Sequence, residues 1–372
     1  MTTLARAAIC RGHDRPFTIE PVELAALRSD ELLVRIVACG ICHTDLAVRD
    51  EQLPVPLPVV LGHEGAGIVE AVGSAVTAAA PGDRVIMSFN SCGECPSCDA
   101  EAPTYCYNFF PHNWCGTRAD GTPSMTLAGE PMNANFFGQS AFATYAIAHQ
   151  RNVVRVPVSA AAIPLERLAP IGCGLMTGAG AVLRAMEVHA GLPIAVFGTG
   201  TVGIAAIMAA RIAGSDPIIA VDVNGDRLAL ARELGATHSF NAADDAPARI
   251  RELCPQGLGY ALDTTGINSV IEQAWGLLAP KGIVGIVGAS SPADTLTFNE
   301  AQFMGGGRTV KGILGGDSNG EGFLTELIEH HLAGRFPHER LIKTFPFERI
   351  NEAIEASESG RVVKPVLVIG SE

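Results

Sequence analysis

Four cysteines lie in one short segment of this 372-residue chain, in the pattern Cys92-x2-Cys95-x2-Cys98-x7-Cys106. Four thiolates at this spacing can close a tetrahedral zinc site, and metal binding of this kind contributes directly to folding a lobe that has little core of its own. An iron–sulfur cluster and paired disulfides are the alternatives. A reducing compartment disfavours disulfides, and no sign of an electron-transfer partner accompanies the cysteines. The segment therefore predicts a structural zinc site.

The charge balance argues against several classes of partner. The chain carries a formal net charge of -13, and an acidic surface repels nucleic acid and anionic membranes. The N-terminal residues do not resemble a signal peptide, because no sustained apolar run follows them. Glycines interrupt the apolar stretch from Ile194 to Gly214, which indicates a strand, a turn and a helix rather than a membrane span. We expect a cytoplasmic protein that binds neither nucleic acid nor membrane.

Two patterns of secondary structure divide the chain, whose length is sufficient for two hydrophobic cores. In the first third, short apolar runs such as ELLVRIVACGIC alternate with Gly and Pro, which is typical of a β-rich, partly barrel-like domain. From about Cys173, apolar strands such as IAVFGTG, PIIAVDV and GIVGIVGAS alternate with helices, which indicates a parallel sheet covered on both faces. Two amphipathic helices and a strand end the chain, and we expect them to return to the first domain. The prediction is an α/β protein with one domain at 1–173 and 314–372 and a second, doubly wound domain at 174–313.

A glycine-rich turn predicts a dinucleotide site in the second domain. Gly198, Gly200 and Gly203 form G-x-G-x-x-G between an apolar strand and a helix, where glycines permit a tight turn, approach of the pyrophosphate and close helix packing. The next predicted strand ends at Asp222, whose carboxylate can accept hydrogen bonds from the adenosine ribose and repels a 2′-phosphate. We therefore predict NAD rather than NADP, with Arg227 close enough to touch the same ribose. An ordinary glycine turn and a solvated aspartate are the alternatives.

A second set of possible metal ligands is spread along the chain. It comprises Cys42, His63 with Glu64, and Cys173. Taken singly, a buried cysteine is usually a small apolar residue and a lone histidine is usually only hydrogen-bonded. Taken together, two thiolates and an imidazole leave a fourth position open, which distinguishes a catalytic zinc from a structural one.

The chain resembles a known family from about Leu4 to Gly370. The segments GHEGAGIVEAVG, GCGLMTGAG and GTGTVG and the four-cysteine lobe occur in the order and spacing of the zinc-containing medium-chain alcohol dehydrogenases, and most resemble the bacterial benzyl or aryl alcohol dehydrogenases. The resemblance implies a GroES-like catalytic domain, a Rossmann domain and two zinc ions per chain. Asp45 would accept the second ring N–H of His63, and Glu64 would ligate the metal transiently. The implied catalytic-zinc ligands are Cys42, His63 and Cys173, and the implied structural-zinc ligands are Cys92, Cys95, Cys98 and Cys106.

The resemblance also implies a mechanism. Zinc acts as a Lewis acid that lowers the pKa of an alcohol hydroxyl, so that hydride can pass from the alcohol carbon to the nicotinamide. Thr44 would pass the hydroxyl proton to the cofactor ribose. Many family members continue this relay through a histidine, but this chain has Ala47 at that position, so the relay is expected to leave by another route. His43 and Lys364 would contact the cofactor phosphates, and Thr177 and Val202 would lie at the nicotinamide.

The substrate is expected to bind in a largely apolar cleft between the domains. Its candidate walls are Phe89, Trp114, Phe137 and Leu175, although each alone could equally be a core residue. Such walls favour oxidation of a primary aromatic or medium-chain alcohol to its aldehyde, and the reverse. A polyol or secondary-alcohol dehydrogenase and a non-catalytic zinc and dinucleotide-binding protein are the alternatives. The resemblance further implies a homodimer or homotetramer, in which apolar strands such as IVGIVGA could pair between subunits.

Overall fold

The computed structural model describes residues 3–288 and 294–372. Contacts between Cα atoms divide the chain into two compact units. The first contains Met1–Cys173, Asn319–Glu329 and Glu339–Glu372, and the second contains Gly174–Ser318 and His330–His338.

The division differs from the predicted one after residue 313, because the turn Gly315–Asp317 belongs to the second unit. A Cβ atom built on Gly180 would lie only 2.3 Å from the carbonyl oxygen of Gly316. The two backbones are thus in direct contact, and this contact holds the turn against the helix that follows Cys173.

The strands of the described residues are, in chain order, β1 (Thr3–Cys10), β2 (Thr18–Leu24), β3 (Glu31–Gly40), β4 (Val59–Val60), β5 (Glu64–Val72), β6 (Arg84–Met87), β7 (Met125–Leu127), β8 (Glu130–Met132), β9 (Tyr145–His149), β10 (Val153–Arg155), β11 (Ile194–Phe197), β12 (Ile218–Asp222), β13 (His238–Asn241), β14 (Leu258–Asp263), β15 (Leu278–Ile286), β16 (Thr309–Gly312), β17 (Ile342–Pro346) and β18 (Lys364–Val368).

The α-helices in the same ranges are α1 (His43–Arg49), α2 (Pro96–Asp99), α3 (Phe109–Asn113), α4 (Leu165–Leu168), α5 (Gly174–Gly180), α6 (Thr201–Ala213), α7 (Gly225–Leu234), α8 (Ala246–Leu253), α9 (Asn268–Gly276), α10 (Glu300–Gly306), α11 (Glu321–Leu332) and α12 (Ile350–Glu358).

The first unit is built on two sheets. One has the order β4-β1-β2-β7-β8, and the other has the order β10-β6-β5-β3-β18-β17 with β9 also paired to β3. Apolar residues of these strands and of the segments between them form the core, in which the largest fully buried side chains include Phe136, Phe142 and Phe347. The terminal strand β18 pairs antiparallel with β3. The strand β18 therefore belongs to the same sheet as β3.

The second unit contains one six-stranded sheet in the order β13-β12-β11-β14-β15-β16. Every pair in it is parallel, and strands β11 and β14 are buried along almost their whole length. This is the strand order of a Rossmann fold, in which the order reverses beside the first strand, β11. The predicted doubly wound parallel sheet is therefore present. Ala289 and Ser290, which end the predicted strand GIVGIVGAS, lie outside the described residues.

The apolar stretch from Ile194 to Gly214 is broken as expected into β11, a glycine turn and α6. Within residues 3–288 and 294–372, no single helix combines the length and apolar character needed to cross a membrane. One broken pair, Leu165–Gly172 with Gly174–Ala185, meets the requirement by length and composition alone.

Candidate active site

The four predicted cysteine ligands of the lobe come together. The Sγ atom of Cys95 lies 3.5 Å from that of Cys98, and the Sγ of Cys106 lies 3.5 Å from that of Cys92. Disulfide sulfurs would be bonded at about 2.05 Å, whereas four sulfurs placed tetrahedrally at a Zn–S distance of about 2.3 Å lie roughly 3.8 Å apart. Backbone N–H groups also point at the cluster, with Tyr107 N lying 3.4 Å from Cys95 Sγ. The lobe therefore has the donor set and spacing of a closed zinc site.

A second group of possible ligands lies in the same unit, formed by Cys42, His63, Glu64 and Cys173, with ligand atoms all within 4.8 Å of one another. Cys42 precedes α1, His63 and Glu64 lie at the start of β5, and Cys173 follows the short 3-10 helix Ala169–Gly172. Each ligand thus lies at the end of an element rather than within one. The sequence spacing alone could not indicate this convergence.

His63 offers the clearest test of whether this group fits a metal. Its side chain is buried, and Nε2 has no hydrogen-bond partner among the described residues. Nδ1 lies 3.0 Å from Asp45 Oδ1, which is the contact predicted for a ligand histidine. Asp45 is itself held by the backbone N–H groups of Cys42 and Gly62. An oriented imidazole with an unpartnered buried nitrogen next to two thiols fits a zinc ion.

The two thiols of this group differ in acidity. A hydrogen bond from the Cys173 thiol is the main reason that the pKa of Cys42 falls well below its usual range. The same hydrogen bond, together with burial, raises the pKa of Cys173 well above it. The hydrogen bond therefore favours the charged form of Cys42 and the neutral form of Cys173. A positively charged ion between the sulfurs would stabilise both as thiolates.

Lys364 occupies a position that differs from the predicted phosphate contact. Its side chain is 2% exposed, and Nζ donates to both carboxylate oxygens of Glu64 at 2.9 Å and to the Ile41 carbonyl oxygen at 3.0 Å. Burial works against the charge on this ammonium, but Glu64, Cys42 and Cys173 together outweigh it and raise the pKa of Lys364. Because its ammonium donates to these buried partners, Lys364 balances the negative charge of Glu64 within the group around His63.

The predicted relay residues lie around the first turn of α1. Thr44 is half-buried, and its Oγ1 lies 3.6 Å from Cys42 Sγ. His43 is exposed at the start of the helix. Ala47 is buried and offers only a methyl group. The described structure thus brings Thr44 to the metal group but gives α1 no side chain at position 47 that could carry a proton.

The glycine turn in the second unit shows a separate reason for each glycine. Gly198 has a φ of +89°, which strongly favours glycine, and a Cβ on Gly203 would lie 1.9 Å from the carbonyl oxygen of Gly198. Gly200 precedes α6, and a Cβ there would meet no described heavy atom within 4 Å. The turn therefore leaves open space at the helix N-terminus, where a pyrophosphate can approach.

Asp222 lies at the carboxyl end of β12 and is held by a residue that the sequence analysis missed. Thr199, within the glycine turn, donates its N–H and its Oγ1 hydroxyl to Asp222 Oδ2 at 2.6 and 2.7 Å. The backbone N–H of Asn224 donates to Oδ1 at 2.9 Å. The half-buried Arg227 follows in the first turn of α7. The sequence signal that could have identified Thr199 is a hydroxyl-bearing residue between Gly198 and Gly200.

The predicted nicotinamide residues Thr177 and Val202 lie half-buried on α5 and α6 of the same unit. A Cβ on Gly178 would lie 2.0 Å from the Val202 carbonyl oxygen. This close approach of the two helices brings Thr177 near the N-terminus of α6. The glycine turn leads directly into the same N-terminus.

Three of the four candidate substrate walls gather beside His63. The Phe137 ring is stacked against the imidazole at 4.6 Å and 24°, and Phe109, which the sequence analysis missed, packs edge-on against Phe137 and Trp114. We call Phe89, Phe109, Trp114, Phe136 and Phe137 the aromatic cluster. Phe109 and Phe136 are its two members that were not predicted, and in each case a pair of adjacent phenylalanines, at 109–110 and 136–137, was the available signal. Leu175 lies in the second unit and is fully buried.

The chain matches two family models. The alcohol dehydrogenase GroES-like domain matches residues 28–158, and the zinc-binding dehydrogenase model matches residues 201–329. The predicted combination of a GroES-like domain with a Rossmann domain is therefore confirmed.

Relatives and solved structures extend over essentially the whole chain. A geraniol dehydrogenase from Castellaniella defragrans is 42% identical over 98% of this chain and 97% of its own length. The crystal structure of an alcohol dehydrogenase zinc-binding domain protein from Burkholderia ambifaria has a TM-score of 0.97 at 47% identity, covering 100% of both chains. A benzyl alcohol dehydrogenase from Acinetobacter calcoaceticus has a TM-score of 0.95 at 38% identity, covering 99% of this chain and 100% of its own. The chain belongs to the zinc-dependent medium-chain alcohol dehydrogenase family.

Proposed function

We propose that this enzyme oxidises a primary aromatic or medium-chain alcohol to its aldehyde with NAD, and catalyses the reverse reaction. The first unit would carry the zinc chemistry and the second would bind the cofactor. The single observation that carries the proposal is the group around His63, which combines two thiols, an oriented imidazole and a buried unpartnered Nε2. Three such ligands leave a fourth position for the substrate oxygen.

In this reaction, zinc and NAD would supply the chemistry, and residues of the chain would hold and orient them. When bound, zinc would supply a Lewis acid that acidifies the alcohol hydroxyl, and NAD would supply the hydride acceptor. Cys42, His63 and Cys173 would hold the zinc. Asp45 would keep His63 in the tautomer whose Nε2 is free to ligate, because its carboxylate accepts a hydrogen bond from Nδ1–H.

Thr44 is proposed to move the substrate proton through its Oγ1 hydroxyl, which lies beside the Cys42 sulfur. Because the methyl group of Ala47 cannot accept a proton, solvent or the cofactor ribose would take it after Thr44. The exposed His43 is proposed to assist at the pyrophosphate. Glu64, paired with Lys364, would balance charge behind the ligands and could reach the metal during ligand exchange.

The second unit is proposed to bind NAD at the glycine turn. Gly198, Gly200 and Gly203 would accommodate the pyrophosphate, and Asp222 would accept hydrogen bonds from the adenosine ribose. A second negative charge on that ribose would meet this carboxylate directly, which supports NAD over NADP. The remaining proposed contacts are Arg227 at the ribose and Thr177 and Val202 at the nicotinamide.

The aromatic cluster supports the substrate class. Phe137 covers one face of the ligand His63 with a second ring packed edge-on behind it, so an apolar surface lies directly beside the proposed metal. A flat or extended apolar alcohol would pack on such rings, whereas a polyol would leave its hydroxyls without partners. The relatives named geraniol dehydrogenase and benzyl alcohol dehydrogenase agree with this choice.

A homodimer or homotetramer is also proposed. The edge strand β16 pairs only with β15 among the described strands, and an unpaired parallel edge is a ready site for a second copy of the chain. Size-exclusion chromatography with light scattering tests the oligomeric state.

One experiment separates the proposed function from its alternatives. Zinc per chain is measured, and NADH formation is followed with benzyl alcohol, hexanol and sorbitol. We expect two zinc ions and turnover of the first two alcohols. Preference for sorbitol would indicate a polyol dehydrogenase, and one zinc ion without turnover would indicate a non-catalytic binding protein.

A further inference from the structure

The amide of Gln139 joins backbone groups on both sides of Glu64. The side chain is 2% exposed. Its Nε2 donates to the His63 carbonyl oxygen at 3.0 Å, and its Oε1 accepts from the Gly65 N–H at 3.0 Å. No other orientation of the amide would satisfy both partners, since one is an acceptor and the other a donor. Gln139 therefore fixes the backbone that carries His63.

The same amide reaches a second ligand through Ser88. Nε2 of Gln139 also donates to the Ser88 carbonyl oxygen at 2.9 Å, and the Ser88 hydroxyl donates to the Gly172 carbonyl oxygen at 2.6 Å. Gly172 directly precedes Cys173. A Cβ on Gly172 would lie 2.1 Å from the Met87 carbonyl oxygen, so the segment before Cys173 lies tightly against the end of β6.

These contacts form a buried path between two ligands from distant parts of the sequence. None of the hydrogen bonds along it uses a ligating atom of His63 or Cys173. The bonds instead fix the backbone on either side of Glu64, the backbone of Ser88 and the residue before Cys173. A metal centre needs its ligands held within about 0.5 Å of the productive geometry, which requires hydrogen bonds from surrounding residues as well as packing.

We propose that Gln139 and Ser88 are positioning residues that set the separation of His63 and Cys173 for the metal. The inference rests on the proposed function, because it needs those two residues to be zinc ligands. Gln139 touches neither substrate nor cofactor in this scheme and acts through the backbone of its partners. Loss of the amide would loosen the site and leave the ligand set unchanged.

The principal test replaces Gln139 by Leu, which keeps a similar volume and removes all three hydrogen bonds. The rate at which each zinc ion passes to a chelator is measured, and the visible spectrum is recorded after replacing the more labile ion with Co2+. We expect Gln139→Leu to release that ion at least ten-fold faster and to shift the cobalt bands, because outer-shell partners change metal affinity about 10–100-fold. Release of the other ion should be unchanged.

Asn113 provides a matched control. Its fully buried amide accepts from the Asn90 N–H at 2.8 Å and donates to the carbonyl oxygens of Asn90 and Phe109. Asn113→Leu thus removes the same number of buried amide–backbone bonds in the same unit, and none of these bonds reaches a ligand of the group around His63 or a residue next to one. It should lower the melting temperature and leave the cobalt spectrum as in the wild type.

Ser88→Ala keeps the proposal testable if Gln139→Leu does not fold. It removes the hydroxyl bond to Gly172 and keeps the Ser88 carbonyl oxygen that Gln139 binds, and we expect a smaller increase in zinc release, about three-fold, with a shifted spectrum. Wild-type release and spectra in variants that fold but melt earlier would show that the network is only structural and would overturn the inference. A wild-type protein that binds one zinc would instead overturn the proposed function.

Discussion

Thr199 donates two hydrogen bonds to a single carboxylate oxygen of Asp222, one from its N–H and one from its hydroxyl. The Asn224 N–H donates a hydrogen bond to the other carboxylate oxygen, Oδ1. A carboxylate accepts about four hydrogen bonds, so the protein itself uses three of these positions. Neither Thr199 nor Asn224 uses the fourth position, which is on Oδ1. We expect the adenosine ribose to donate a hydrogen bond there.

Replacement of Thr199 by Val should weaken NAD binding with little effect on turnover. Val retains the shape and the backbone N–H but not the hydroxyl, so Asp222 can rotate. The lost bond is internal to the protein, so NAD binding is weakened only because the Asp222 carboxylate is held less firmly, and we expect the KM for NAD to rise several-fold. Thr199→Ser keeps the hydroxyl and should behave nearly as the wild type. Equal effects of Val and Ser in steady-state kinetics would show that the hydroxyl is not involved.

Removal of the Asp222 carboxylate should change the choice of cofactor. In Asp222→Gly, the charge that opposes a 2′-phosphate is gone, so kcat/KM for NADP should rise while kcat/KM for NAD falls. The ratio of the two efficiencies is the measurement. Asp226→Gly, which removes an acidic residue from the first turn of the following helix, is the control and should leave the ratio close to that of the wild type.

Replacement of Thr44 by Val should reduce turnover far more than it weakens NAD binding. General acid–base transfer contributes about 100-fold or more, so kcat is expected to fall by about that factor. The dissociation constant for NAD, measured by fluorescence, should change by less than about two-fold, since Val preserves the packing. Thr44→Ser should recover most of the turnover. An unchanged kcat in the Val variant would place the proton relay elsewhere.

The four-cysteine lobe should lose its zinc when one sulfur is removed. In Cys106→Ser, we expect the zinc content to fall from two ions to one, and the melting temperature to fall because metal binding contributes to folding. Metal analysis and calorimetry measure both effects. Cys115→Ser, at a half-buried cysteine outside the cluster, should retain two ions. Two retained ions in Cys106→Ser would mean that the lobe does not depend on this ligand.

A buried ion pair should stabilise the segment that follows the lobe. Arg118 Nε donates to Glu31 Oε1 at 2.5 Å, and the side chains of both residues are 8% exposed. Arg118→Met leaves the Glu31 carboxylate buried without its partner and should lower the free energy of unfolding by about 3–5 kcal/mol. The double variant Arg118→Met with Glu31→Gln should recover part of this loss. Urea denaturation measures both, and a loss below about 1 kcal/mol would contradict the prediction.

Local spacing allowed part of this protein to be predicted from sequence. The four lobe cysteines lie within one segment. Each glycine of the cofactor turn meets a backbone requirement, and the short pattern G-x-G-x-x-G encodes these requirements. The contact between Asp45 and His63 was also predicted, but only through the family resemblance.

Other features depend on contacts between residues far apart in sequence. Lys364 was predicted at a phosphate because nothing local indicates that its ammonium is buried against Glu64, 300 residues earlier. Gln139 and Ser88 were not singled out at all. A buried amide and a hydroxyl acquire their roles from the backbone groups that the fold brings to them, and single residues of these types carry no spacing signal.

The ion pair of Lys364 and Glu64 also sets an order of events during synthesis. The lobe cysteines leave the ribosome together, so they can capture zinc while translation continues. Glu64 emerges early, but its counter-charge lies on β18, 300 residues later. The Lys364 ammonium can balance the carboxylate beside His63 only after that strand pairs with β3. The group around His63 therefore reaches its final electrostatic state after the lobe has had the opportunity to fold.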